Sequence, residues 1–269
     1  MTDDTTRFGS FAAEYDRVRP HPPTELTDLI TQWAGNPTPD VVDLGAGTGL
    51  STALWPSTLR PSTPSPSTLS PSATSVIGVE PDAAMRAVAT SRGLHMIDGT
   101  AEATTLPDNS ADVVTAGQAL HWFDPVRTFP EIARILRPGG VFAAFDCDWP
   151  PAVDPECDTT YREVEAHYRA LEIRHHVRPA YAVKTDHVAR LRDSGLFRHV
   201  TEVALHSRDT GDAERFVATM RSQGGVVALL ERGVSEDEIG LTRLREVALR
   251  RIPEPRTWWW TYRVRLAVI

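Results

Sequence analysis

The chain has 269 residues, enough to bury a sizeable core as a single large α/β domain. Its 28 lysines and arginines against 36 aspartates and glutamates give a formal net charge of −8, which argues against a nucleic-acid partner, because a protein that tracks phosphates carries a basic stripe. Two cysteines, Cys147 and Cys157, leave no disulfide framework and no metal quartet, and no apolar run is long enough to span a bilayer. The start Met1-Thr2-Asp3-Asp4 lacks the basic and apolar segments of a signal peptide, so a cytoplasmic protein is expected, with neither membrane nor metal.

Residues 1–35 predict a pair of cap helices. Phe8, Phe11 and Tyr15 share a helical face until Arg19-Pro20-His21-Pro22-Pro23 stops it. Thr24 is then expected to cap a second helix whose apolar face is Leu26, Leu29, Ile30 and Trp33. Val41–Leu44 reads as a short buried strand opening a core over residues 40–147. A short helix from about Leu50 to Trp55 runs into a tract over 56–75, where Pro56-Ser57-Thr58 and Pro61-Ser62-Thr63 recur among further prolines. That composition has little to bury, and it reads as a surface loop.

Later elements alternate as βαβ units require. Strands are expected at Val76–Val79, Leu94–Ile97, Asp112–Ala116 and Val141–Asp146, with helices at Ala83–Thr90 and Pro125–Leu136 and a turn at Arg137-Pro138-Gly139-Gly140. Residues 151–185 predict a helical lid insertion, with its helix over Pro155–His176. Residues 186–269 predict a helix at Asp186–Ser194, a strand at Phe197–Leu205, helices near Asp212–Leu230 and Ser235–Arg251, and a closing antiparallel edge strand, Trp258–Val268, with alternate tryptophan rings buried. The fold class is a doubly wound α/β domain with a seven-stranded, mostly parallel sheet.

The chemistry concentrates after the first strand. Asp43-Leu44-Gly45-Ala46-Gly47-Thr48-Gly49 places alternating glycines where a strand turns into the next element, which permits positive φ and close backbone approach to a ligand. Asp43 is placed to hold the turn and to receive a cationic group. A dinucleotide fingerprint would space its glycines G-x-G-x-x-G, but Leu50 occupies the last position, which disfavours a nicotinamide-dependent oxidoreductase. Glu80, ending Val76-Ile77-Gly78-Val79-Glu80-Pro81, is a carboxylate for two ribose hydroxyls. It lies further on than the usual roughly 20 residues, and the Pro/Ser/Thr tract accounts for much of the excess. Asp98–Ala103 is a loop whose backbone amides or Glu102 carboxylate could read an adenine edge.

Together with Phe11-Ala12-Ala13-Glu14-Tyr15, Arg19-Pro20, Leu106-Pro107, Gln118-Ala119-Leu120-His121-Trp122-Phe123 and Leu136-Arg137-Pro138-Gly139-Gly140, these motifs resemble class I S-adenosylmethionine-dependent methyltransferases. More specifically, they resemble the broad small-molecule group that includes trans-aconitate methyltransferase-like proteins. The resemblance runs from Phe8 to about Asp146. It implies S-adenosylmethionine as cofactor, contacted by Asp43, Gly45, Ala46, Gly47, Glu80, Pro81, Ala101, Glu102 and Gln118, with Tyr15 and Arg19 closing near its methionine end. The implied activity is methyl transfer to an oxygen, nitrogen or carbon of a small molecule. The competing reading is a protein of the same fold that binds the cofactor without methyl transfer, as a cyclase or binding protein. His121 is either a general base or a structural donor beneath the cofactor, and Trp122 either an aromatic wall or packing. Tyr161, Tyr168 and Tyr181 are candidate substrate contacts on the insertion. His167, His175 and His176 do not share a metal-binding spacing and read as solvated or lid residues.

Overall fold

The computed structural model describes residues 18–55, 75–177 and 186–269. Seven strands form one sheet: β1 (Asp40–Leu44), β2 (Ser75–Val79), β3 (Met96–Ile97), β4 (Ala111–Gly117), β5 (Leu136–Cys147), β6 (His199–Gly211) and β7 (Arg256–Val268). Their order is β3-β2-β1-β4-β5-β7-β6. The first five run parallel, and β7 is antiparallel to both neighbours. β1 sits centrally and its residues Val41 to Leu44 are all buried, as expected of a parallel strand covered on both faces.

Helices α1 (Glu25–Ala34), α2 (Ala83–Ser91), α3 (Pro125–Ile135), α4 (Pro155–Arg174), α5 (His187–Asp193), α6 (Ala213–Arg221), α7 (Gly224–Glu231), α8 (Glu236–Ile239) and α9 (Leu241–Arg251) complete the domain. Two apolar clusters divide it. One joins α1, α4 and α6 to α9 with Val264 and Leu266, and the other joins α3 and α5 with Val114, Phe142 and Ala267. Asp82, Asp124, Asp154 and Asp212 start helices by accepting backbone amides, each cap contributing about 1 kcal/mol. No described helix is long and apolar enough to cross a membrane.

Several expectations change in detail. Thr24 makes no side-chain capping bond to α1, because its hydroxyl donates to the Glu25 carboxylate instead. The segment after the glycine loop is a 3-10 turn, Thr52–Leu54, because Ser51 and Thr52 turn back to Asp43. Arg137–Gly140 is not a separate turn but an irregularity inside β5: Ala111 pairs with Leu136, yet Val113 pairs with Val141. The two long carboxyl-terminal helices each break, the first at Ser222-Gln223 between α6 and α7, the second at Gly240, at φ 96°, between α8 and α9.

The closing strand is not at the edge. β7 lies between β5 and β6, so β6 is the edge strand, and it is longer than expected because it pairs with β7 along thirteen registered positions from His199 to Gly211. Trp258 and Trp260 are buried and Trp259 is 53% exposed, as the alternation predicted. The Pro/Ser/Thr tract up to residue 74 lies outside the described residues, as does the first predicted helix with Tyr15, and Ser75 already opens β2.

Candidate active site

A cavity of about 330 Å³ opens at the carboxyl ends of β1, β2, β4 and β5. This is where strand order reverses between β1 and β4, the usual ligand crevice of a doubly wound sheet. Its walls include Gly45, Ala46, Gly47, Glu80, Pro81, Ala101, Glu102, Gln118, Trp122 and Arg19, all named from sequence.

The glycine loop is built for close approach. Gly45 adopts φ 62° and donates its N–H to the Val79 carbonyl at 2.9 Å. A Cβ there would lie 2.8 Å from Ala119 Cβ and 3.1 Å from Phe123 Cζ, so only glycine fits. Gly47, at φ 58°, has nothing within 4 Å of the corresponding point and faces open space.

Asp43 is fully buried beneath this loop and does not line the cavity. Ser51 and Thr52 donate to Oδ2 at 2.6 and 2.7 Å, and Thr115 donates to Oδ1 at 2.7 Å. Burial raises its pKa, against the pull of those three hydroxyls. Of the two roles expected, the structure gives it the first: it holds the turn.

Glu80 reaches the cavity from the end of β2. Its Oε2 accepts the Gly47 N–H and its Oε1 the Asp82 N–H, each at 2.9 Å. Burial raises its pKa, opposed by those two amides. Each oxygen keeps a lone pair for a hydroxyl from a ligand. Beyond it, Pro81, Met85, Ala46 and Ala101 form an apolar slot. Glu102 borders the slot, but its Oε1 is engaged by the Asp124 amide at 3.2 Å and the Thr128 hydroxyl at 3.3 Å. Glu131 accepts both the amide and hydroxyl of Thr104, and its ion pair with Arg134 holds its pKa down at about 2.

On the opposite wall, Gln118 takes φ 54°, unusual for a residue with a side chain, and its Nε2 donates to Cys147 Sγ at 2.9 Å. The Arg19 guanidinium stacks 4.9 Å from the Trp149 ring and donates to the Ser222 carbonyl at 3.0 Å. Tyr262 donates its hydroxyl to the Pro20 carbonyl at 3.1 Å, fixing the chain entry beside the cavity.

Other candidates lie elsewhere. His121 is not among the lining residues: its Nδ1 faces Asp146 Oδ1 at 3.6 Å in the buried layer behind Trp122. Tyr161 and Tyr168 are correspondingly displaced from the expected lid role. Both are buried in the apolar cluster, Tyr161 edge-on to Phe216, because the inward face of α4 packs on α6, α7 and α9. Tyr181 lies outside the described residues. His167 donates from Nε2 to the Glu238 carbonyl, 2.9 Å away, on the surface. Phe145, Tyr262, Met85 and Asp82 also line the cavity and were not singled out from sequence. Phe145 and Asp82 could have been found from their place at strand ends, whereas Tyr262 depends on where β7 inserts.

The wall set fits S-adenosylmethionine. Glu80 offers acceptor lone pairs to a ribose diol, the apolar slot suits a flat base, and Gly47 leaves open space where a side chain would intrude. Fold and site together resemble those of class I S-adenosylmethionine-dependent methyltransferases. Residues 42–144 match the methyltransferase-domain family profile.

The chain is similar to an uncharacterized methyltransferase of Mycobacterium tuberculosis, 39% identical over 142 residues, which is 51% of either chain. It also resembles a probable S-adenosylmethionine-dependent methyltransferase of Saccharomyces cerevisiae, 28% identical over 56% of this chain and 50% of that one. The matched region thus spans about half the length of these curated relatives. Among solved structures, a candidate type II methyltransferase from Anaeromyxobacter dehalogenans superposes with a TM-score of 0.64 at 25% identity, covering 93% of this chain and 97% of that one.

Proposed function

We propose that this protein transfers a methyl group from S-adenosylmethionine to an oxygen, nitrogen or carbon atom of a small-molecule acceptor. The observation that carries the reading is the Glu80 carboxylate, held by the Gly47 and Asp82 amides at the mouth of a glycine loop that has no room for a side chain at Gly45. The cofactor, when bound, supplies a methyl group already activated on a sulfonium.

The residues supply binding, orientation and exclusion of water. Glu80 accepts from the ribose diol, and the slot of Ala46, Pro81, Met85 and Ala101 takes the base. Arg19, fixed by Trp149 and Ser222, presents charge to the methionine end. Trp122, Phe145 and Tyr262 offer ring faces that a cation favours over bulk apolar wall. His121 holds the wall in this reading and moves no proton, because its ring faces Asp146 and not the cavity.

Two measurements test the proposal. S-adenosylmethionine, and not NAD, should raise the melting temperature by binding the folded state. A screen with methyl-labelled cofactor against small metabolites should then yield a labelled product. Stabilisation by NAD alone would refute the cofactor assignment, and cofactor binding with no product across the screen would favour a non-transferring protein of the same fold.

A further inference from the structure

The face of the sheet covered by α3 and α5 is apolar around Phe142, Ala144, Leu191, Val200 and Ala267, yet three charged side chains interrupt it. Arg265 of β7 donates from Nη1 to Asp146 Oδ2 on β5 at 2.7 Å, and from Nε to Glu202 Oε2 on β6 at 2.8 Å. The Arg265 and Asp146 side chains are only 3% and 4% exposed. An ion pair buried this deeply gains little stability over apolar residues of the same volume, because desolvation offsets the attraction. What it does supply is a fixed geometry.

That geometry points to the cavity. The second Asp146 oxygen faces His121 Nδ1 at 3.6 Å. His121 belongs to the 3-10 turn Leu120–Trp122, and its ring lies 5.1 Å from that of Trp122, which lines the cavity. The next residue, Phe123, presses on Gly45 of the glycine loop. The remaining charged and titratable groups around the cluster are Arg263 on β7, which pairs with Asp148 and Glu202, and His187 and Arg190 on α5.

We infer that Arg265 and Asp146 are positioning residues: their buried pair holds His121, and through it the turn that seats Trp122 and Phe123 against the glycine loop. The inference rests on the cofactor reading above for its functional consequence. It also assigns a part in the site to β7, which lies well beyond the matched residues 42–144.

The test uses the full chain with S-adenosylhomocysteine as probe. Breaking the pair on one side would strand a buried charge, so Asp146→Leu/Arg265→Met is made as a charge-neutral double substitution. Titration calorimetry should show the probe binding roughly 10-fold more weakly, the size of coupling seen within one side-chain network. Adding His121→Asn to that variant should cost nothing further, whereas His121→Asn alone should weaken binding. Independently of any ligand, the His121 side-chain signals in a histidine-15N spectrum, assigned by their loss in His121→Asn, should shift in the double variant.

Wild-type affinity in the folded double variant, a full additional loss on adding His121→Asn, or unmoved His121 signals would each overturn the inference. If the double variant fails to fold, Arg265→Lys and Asp146→Asn carry the same readouts. If the wild type does not bind S-adenosylhomocysteine, the cofactor reading falls, and the histidine spectrum alone decides whether the pair positions His121.

Discussion

Gly45 and Gly47 sit two residues apart in the same loop, both left-handed, at φ 62° and 58°. They differ in what surrounds them, so the same substitution separates backbone strain from crowding. Alanine at either position meets the left-handed penalty of about 1–2 kcal/mol. At Gly47 the new methyl meets nothing within 4 Å, so that penalty is the whole expected loss. At Gly45 it would lie 2.8 Å from Ala119 Cβ, which cannot move without its backbone, and 3.1 Å from Phe123 Cζ. Overpacking of this kind adds about 1–3 kcal/mol. Gly45→Ala should therefore lose about 2–5 kcal/mol in urea unfolding, and Gly47→Ala about 1–2 kcal/mol. Equal losses within about 0.5 kcal/mol, with unchanged m-values, would refute the claim that Ala119 and Phe123 press on the loop.

Glu80→Ala should weaken binding of S-adenosylhomocysteine in calorimetry by roughly 1.5–3 kcal/mol, the range for a hydrogen bond to a charged group, and unchanged affinity would leave Glu80 only its amide partners. Burial lowers the pKa of His187 to about 4, below an unfolded value near 6.5. The unfolded chain then binds the extra proton between those values. Stability should be fully present above about pH 6.5 and decline towards pH 4, with a slope of up to about 1.4 kcal/mol per pH unit. Acid unfolding of His187→Leu should lack that slope, and an identical profile would sink the assignment. Tyr161→Phe and Tyr168→Phe should leave the probe's affinity unchanged, since neither ring reaches the cavity, and a marked loss would restore them to the site.

What was legible in the sequence is what local chemistry decides. The apolar run Val41–Leu44 before three alternating glycines located β1, its loop and the start of the cavity, because period and turn chemistry act over a few residues. Glu80 followed from its place at the end of the next apolar run. The burial of alternate rings in Trp258-Trp259-Trp260 followed from the pleat. What was not legible depends on partners far along the chain. Tyr262 reaches the cavity only because β7 pairs with β5, and its strand pattern is the same at the edge or inside. Tyr161 and Tyr168 carry the amphipathic signature of a lid or a core face alike, and packing against α6, α7 and α9 decided for the core. His121 was poised between base and structural donor until Asp146 and Arg265, on two later strands, appeared beside it.

The insertion of β7 between β5 and β6 also bears on how the chain is made. β5 is finished at Cys147, but the strand that covers its outer edge starts only at Arg256. At translation speeds of roughly 5–20 residues per second, the outer edge of β5 waits on the order of ten seconds after emerging. Meanwhile β6 leaves the ribosome with no partner of its own. An uncovered strand edge is a template for pairing with other chains. During synthesis, therefore, the half of the molecule that carries the glycine loop is also the half with an adhesive border, and a chaperone that shields sheet edges would be needed most in that interval.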